Sequence, residues 1–235
     1  MIPIPLTDHL RRRIFWISTL LLIVANVIAF LFELSLGKNI NRLVFYLGII
    51  PARYSTPSGL AQAGAAGFFV PIFASMFLHG GWLHLIGNML FLFVFGRSIE
   101  DRFGHSKFLL LYFLSGFGAA VLHIVLNAGS PVPSIGASGA SAGILGAYAF
   151  SYPRARITTL IPLFIFFWRV EIPAFFLLGY WFLIQFFTGF QALAIESATS
   201  GGVAWWAHVG GFICGIFLAA LLTPRRRGPV VEIVG

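Results

Sequence analysis

Charge is what this sequence has least of. Only 9% of its 235 residues are charged, while 59% are hydrophobic and 17% aromatic. A water-facing surface needs about a quarter charged residues, so the shortage excludes a soluble globular protein. Cysteine is almost missing as well. The single Cys214 excludes an internal disulfide and any cysteine-rich metal site. Acidic residues number 7 (Asp8, Glu33, Glu100, Asp101, Glu171, Glu196 and Glu232), which limits carboxylate chemistry. No internal repeat is visible, which argues against a transporter built from inverted repeats.

Long apolar runs fill the rest. A bilayer span needs about 20 apolar residues, and the runs place spans at 14–34, 83–95, 108–126, 138–152, 173–190 and 202–222. With the N-terminus inside, all of the 15 basic residues except Lys38, Arg42 and Arg53 face the cytoplasm. The positive-inside rule therefore favours an even count and cytoplasmic termini. The expectation is an all-α, six-transmembrane-helix bundle over 14–222, with a cytoplasmic segment 1–13 and a basic cytoplasmic tail 223–235. Net charge +8 then serves orientation and contact with anionic lipid, not nucleic acid. Arg11-Arg12-Arg13 before an apolar run also resembles a signal peptide, but no small-residue cleavage site follows, so a retained first helix is expected.

The connections differ in character. The first loop, 35–67, is long and mixes apolar residues with Pro51 and Pro57. Such a length implies structure of its own, expected as short amphipathic pieces in the interface, with an irregular small-residue stretch at 59–67. Segment 158–172 is apolar but holds Pro162, Arg169 and Glu171, and reads as an interfacial linker. Loop 191–201 is polar and small, fitting either a mobile flap or a plain connector.

Within these spans a few polar side chains stand out, and ionisable residues inside a membrane are functional suspects by default. Ser138 lies in Gly136-Ala137-Ser138-Gly139-Ala140, and His208 in the uncharged stretch 205–223. Ser138 precedes Arg154 by 16 residues and His208 precedes Arg225 by 17. At 1.5 Å per helical residue both sit roughly 25 Å from one boundary, level with each other beneath the opposite face. Gly139/Gly143 and Gly211/Gly215 are small-xxx-small pairs that let backbones approach closely. A serine needs an adjacent base, and histidine suits neutral pH. No acidic residue lies within a span near His208, so the pattern points to a dyad rather than a triad. His84 and Asn88 are four apart on one helical face and both can donate hydrogen bonds; His79 lies just above them. Read singly, each has a bland alternative: helix packing for Ser138 and His208, polar glue for His84 and Asn88. A metal site on His79 and His84 is disfavoured, because the sequence offers no carboxylate or cysteine nearby. His123 is expected to bond a neighbouring helix.

Taken together and in order, Gly136-Ala137-Ser138-Gly139, Ala207-His208-x-x-Gly211-x-x-x-Gly215, and His79 with His84-x-x-x-Asn88 resemble the rhomboid family of intramembrane serine proteases. The resemblance covers roughly residues 70–222. It implies a six-helix bundle around a cavity open to the outer side, with Ser138 as nucleophile and His208 as general base. It further implies His84, Asn88 and the Ser138 N–H as oxyanion donors, with Gly136 permitting the tight backbone. A polar recess lined by His79, His84, Asn88, Ser138 and His208 is the corresponding expectation, with no cofactor and no metal. Substrates would be transmembrane proteins cut near the outer end of a helix.

There are departures. Many bacterial relatives carry a Trp-Arg pair in the first loop, which is missing here, and the position of a tyrosine that stacks on the base is Ala142. A gate on the fifth span is expected near Trp181, Phe182, Phe186 and Phe187, residues equally explained as lipid-facing aromatics. A bacterial inner membrane fits the short ends. The rival functions are a relative that binds membrane clients without cutting them, and a small transporter or channel.

Overall fold

The computed structural model describes residues 3–163, 166–194 and 204–223. The chain opens with strand β1 (Ile4–Asp8) and enters helix α1 (Ile17–Ser35). The first orphan N–H groups of α1 are met from another helix. The Glu100 carboxylate accepts N–H from Ser18 (2.7 Å) and Thr19 (2.8 Å) and the Thr19 hydroxyl (2.7 Å). Asp101 accepts the N–H of Arg13 and Ile14 at 2.6 and 2.8 Å. Acids at a helix N-terminus satisfy both its free donors and its dipole.

The first loop carries three helices, α2 (Ile40–Leu47), α3 (Pro51–Tyr54) and α4 (Pro57–Ala74), in line with the short pieces expected there. The stretch 59–67 is helical rather than irregular, interrupted only at Gly64, where φ is +60°. Helix α5 (Trp82–Phe91) continues through a π-helical turn, Leu92–Gly96, into α6 (Arg97–Phe103). Then come α7 (His105–Leu126), α8 (Ser138–Ser151), strands β2 (Arg156–Leu163) and β3 (Phe166–Pro173), α9 (Ala174–Ala194) and α10 (Trp205–Leu222).

Among the described residues, five helical stretches are long and apolar enough to cross a membrane: Ile17–Ser35, Trp82–Phe103, His105–Leu126, Ala174–Ala192 and Trp205–Leu222. This is a multi-pass, mostly helical membrane bundle. The remaining expected span, 138–152, is α8, whose 14 residues make about 21 Å of helix, short of a full crossing. Every residue from Gly139 to Tyr148 is buried, so α8 is wrapped by its neighbours. Glycine makes that possible. A Cβ at Gly211 would lie 1.9 Å from the Gly139 carbonyl oxygen, and one at Gly215 1.9 Å from that of Gly143. Helices α8 and α10 therefore touch backbone to backbone, as the small-residue pairs predicted. At the other end of α8, Tyr148, Phe95, Phe108, Leu111 and Tyr112 form the fully buried core.

The linker expected at 158–172 is instead a β-hairpin. β2 pairs antiparallel with β3, Arg156 opposite Pro173 and Leu163 opposite Phe166, and β1 adds to the other edge of β2, Ile4 opposite Leu160. β-branched and aromatic residues dominate both hairpin strands, which suits a pleated pairing. Of the charges that disqualified this stretch as a span, Glu171 lies near the base of the hairpin, where it approaches His9 (3.4 Å) and Arg156 (3.9 Å), while Arg169 sits midway, opposite Leu160. Pro5, lacking an N–H, fits an edge strand. Asp8 ties β1 to the bundle, accepting from Ser98 (2.5 Å), Tyr148 (3.0 Å) and the Arg12 guanidinium. The basic tail lies outside the described residues beyond Thr223, as does most of loop 191–201.

Candidate active site

Ser138 is the first residue of α8, so its side chain and the unpaired N–H groups of that helix end point at the same space. The approach to it is tight. Gly136 adopts φ +130° and donates its N–H to the Ser75 carbonyl at 2.8 Å. A Cβ on Gly136 would fall 2.7 Å from both Cε1 and Nε2 of His84, and 3.6 Å from the Ser138 hydroxyl oxygen. Only glycine satisfies both that backbone angle and that ring. The preceding loop is pinned by a reciprocal pair of hydrogen bonds between Ile49 and Ser134, at 2.9 and 2.7 Å.

His84 is oriented by the turn that leads into its own helix. Its Nδ1 accepts the Gly80 N–H at 3.4 Å, so the ring proton resides on Nε2, the atom facing Gly136. Asn88 donates one amide hydrogen to the His84 carbonyl at 3.0 Å, leaving its second hydrogen free. His84 and Asn88 are thus both placed as donors, from one face of α5.

His208 sits in the first turn of α10 and is buried. Its Nδ1 lies 2.6 Å from Oε1 of Gln185 on α9. Trp181 covers the ring with a centroid distance of 5.8 Å and a 35° tilt, and Trp205 meets it edge-on at 6.2 Å and 87°. Neighbours of the two candidate catalytic residues nearly touch, a Gly139 Cβ position lying 3.6 Å from the Ala207 carbonyl oxygen.

These side chains open onto one cavity of about 720 Å³, whose wall includes His84, Asn88, Ser138, Ser141, Trp181 and His208. Ser138 and His208 share it without being hydrogen-bonded to each other. His79 is not on that wall. It is buried behind His84, ring centroids 5.1 Å apart, its backbone N–H donated to the Glu33 carboxylate at 3.0 Å. Its expected place in the recess is therefore one layer too far forward. His123 does not bond a neighbouring helix; Asn127, at the end of its own helix, takes its Nδ1 at 3.2 Å.

Residues 66–225 match the family model of the Rhomboid domain. The chain belongs to the rhomboid family. It is 29% identical over 160 residues to RHOMBOID-like protein 5 of Arabidopsis thaliana, covering 66% of this chain and 44% of that one. With the mitochondrial Rhomboid protein 1 of Saccharomyces cerevisiae it shares 30% over 188 residues, 75% of this chain and 49% of the relative. With Rhomboid protease GluP of Bacillus subtilis it shares 30% over 158 residues, 64% and 25% respectively. The chain spans about half, or less, of the length of these relatives.

Within the rhomboid framework, two of the departures now have physical substitutes. With no Trp-Arg pair, the first loop is anchored by the Ile49–Ser134 bonds and by the Ser130 carbonyl, which accepts the Ala52 N–H at 3.0 Å. With alanine at 142, Trp181 and Trp205 take over the support of the His208 ring. Trp181 and Phe182 consequently face inward, Phe182 packing on Phe212 at 4.9 Å, while Phe187 stays exposed. Gln185 had no place in the sequence reading. Its signal was available: it falls four residues after Trp181 in a run with few polar residues, hence on the same face of α9.

Proposed function

We propose that residues 14–222 form an intramembrane serine endopeptidase with Ser138 and His208 as its dyad. The observation carrying this reading is the convergence of the Ser138 hydroxyl, the His208 ring and two oriented donors, His84 and Asn88, on one cavity inside a membrane bundle. The Ser138 oxygen attacks the scissile carbonyl while Nε2 of His208 takes its proton. Negative charge then develops on the former carbonyl oxygen, where the Ser138 N–H, His84 Nε2–H and the free Asn88 amide hydrogen are preorganised to receive it. His208 returns the proton to the leaving amine, and an ester remains on Ser138. A water molecule, deprotonated by His208, hydrolyses that ester and frees the carboxyl product. Closure of Ser138 onto His208 accompanies substrate binding, since catalytic hydrogen bonds commonly tighten only in the Michaelis complex.

The substrates are transmembrane helices with small or helix-destabilising residues near one end, because a bond buried in helical hydrogen bonding must be unwound before attack. We read the cavity as open to the outer face and the termini as cytoplasmic, a reading supported by the positive-inside distribution of the basic residues, and we propose a bacterial inner membrane as the setting.

A client-binding protein that does not cut is the second reading, favoured by the missing hydrogen bond between Ser138 and His208. One experiment decides. Wild type, Ser138→Ala and His208→Ala are reconstituted in liposomes with a labelled transmembrane substrate. Cleavage by wild type alone is expected; cleavage that survives Ser138→Ala would remove the assigned nucleophile, and none by wild type would favour the second reading.

A further inference from the structure

We propose that Gln185 is the positioning residue of the dyad, its carboxamide oxygen holding His208 in the tautomer and orientation that present a bare Nε2 to Ser138. The inference rests on the protease reading above and adds to it the group that a two-residue dyad lacks.

A base that is to accept a proton from serine must have its lone pair on the nitrogen facing that serine. Neutral imidazole carries its one proton on Nδ1 or Nε2, and the partner of the other nitrogen decides which. Here Nδ1 is 2.6 Å from a carbonyl oxygen, which can only accept. Nδ1 is therefore the donor and Nε2 the free base. The opposite amide orientation would set an NH₂ group against Nδ1, move the ring proton to Nε2 and abolish the base.

The surroundings leave this task to Gln185. Both residues are buried, Gln185 at 6% and His208 at 8% exposure. Trp181 and Trp205 confine the ring from its face and edge but supply no acceptor for Nδ1. No carboxylate among the described residues is bonded to the ring, and the titratable groups acting on it are the imidazoles of His84 and His123. An amide suits the depth: it orients the ring without a permanent charge, which would be costly inside a bilayer. Trp181 and Gln185 come from the same face of α9, so one helix provides both the lid over the base and its in-plane hydrogen bond. The competence of the dyad then depends on a third helix staying docked against α10.

The test uses the purified full chain in proteoliposomes, a fluorogenic substrate bearing one transmembrane helix, and a fluorophosphonate that labels reactive serines. Gln185→Met keeps length and volume but removes the acceptor. Its kcat should fall about 10–100-fold, the range expected for a lost hydrogen bond to a group that becomes charged, with KM within about twofold and thermal stability close to wild type. Gln185→Glu keeps the acceptor and adds an anion that favours the imidazolium. It should retain activity at alkaline pH while the acid limb of its kcat/KM profile moves to higher pH. A packing role alone predicts neither the kcat-specific loss nor the moved limb. Gln185→Met at wild-type kcat, or Gln185→Glu with an unmoved limb, overturns the proposal while leaving the protease reading intact. A wild type that neither cleaves nor is labelled at Ser138 brings down that reading and the proposal with it.

Discussion

The imidazole of His84 occupies the space that a side chain at Gly136 would need: a Cβ there would fall 2.7 Å from two of its ring atoms. Glycine is thus imposed by two separate facts, that contact and a φ of +130°. Gly136→Ala should cost about 1–3 kcal/mol through backbone strain and more through the displaced ring. Cleavage should fall at least about tenfold if the ring moves away from its donor position. The stability loss should be smaller when Gly136→Ala is made in a His84→Ala background, a double-mutant cycle readable from detergent melting temperatures.

The contact between α8 and α10 predicts a sharper outcome. Gly215→Val has no room, because the Gly143 carbonyl oxygen would be 1.9 Å from the new Cβ. Separating two packed backbones costs on the order of the largest single-site effects, above about 4 kcal/mol. The variant should fail to give a monodisperse, protease-resistant protein. Ile213→Val, on the exposed side of the same helix, should be indistinguishable from wild type.

Glu100 joins α6 to the start of α1: its Oε2 accepts the Thr19 N–H and hydroxyl, and its Oε1 accepts the Ser18 N–H and lies 2.6 Å from His105 Nδ1. Glu100→Gln keeps the volume and replaces an acceptor oxygen by a donor that faces other donors. A loss of about 1.5–3 kcal/mol is expected, seen as a lower melting temperature. Activity of the protein that remains folded should be unchanged, since Glu100 lies on the bundle end away from the cavity.

Asp8 governs the sheet in the same way. Its Oδ2 accepts both the Ser98 and the Tyr148 hydroxyls. Asp8→Ala should release β1 from the bundle while β2 and β3 remain paired. Hydrogen exchange at residues 4–8 should become fast, with β2–β3 amides slowed much as in wild type.

Much of the bundle was readable because the hydrocarbon interior imposes a simple rule. Apolar runs of the right length become helices, as at α1, α7, α9 and α10. The glycine spacing on α8 and α10 was equally legible, since close packing in a membrane calls for small residues. The hairpin at 156–173 was not. Its hydrophobicity resembled a poor span, and only pairing with a segment some 150 residues earlier, β1, shows what the extended conformation accomplishes. At 59–67 the expected irregularity is confined to the break at Gly64, since glycine permits irregular backbone without requiring it.

The candidate site divides along the same line. Ser138, His208, His84 and Asn88 could be picked out because a polar group in a membrane run is expensive enough to need a reason. What the chain order alone determined about this protein was a greasy multi-pass bundle and the short set of side chains able to do chemistry in it. Tertiary structure decided how those side chains are held: Gln185 on the His208 ring, two tryptophans in place of an absent tyrosine, and His79 set behind His84. Such contacts join helices distant in sequence. A side chain's cost inside the bilayer is a local property, but the identity of its partner is set by packing across the bundle.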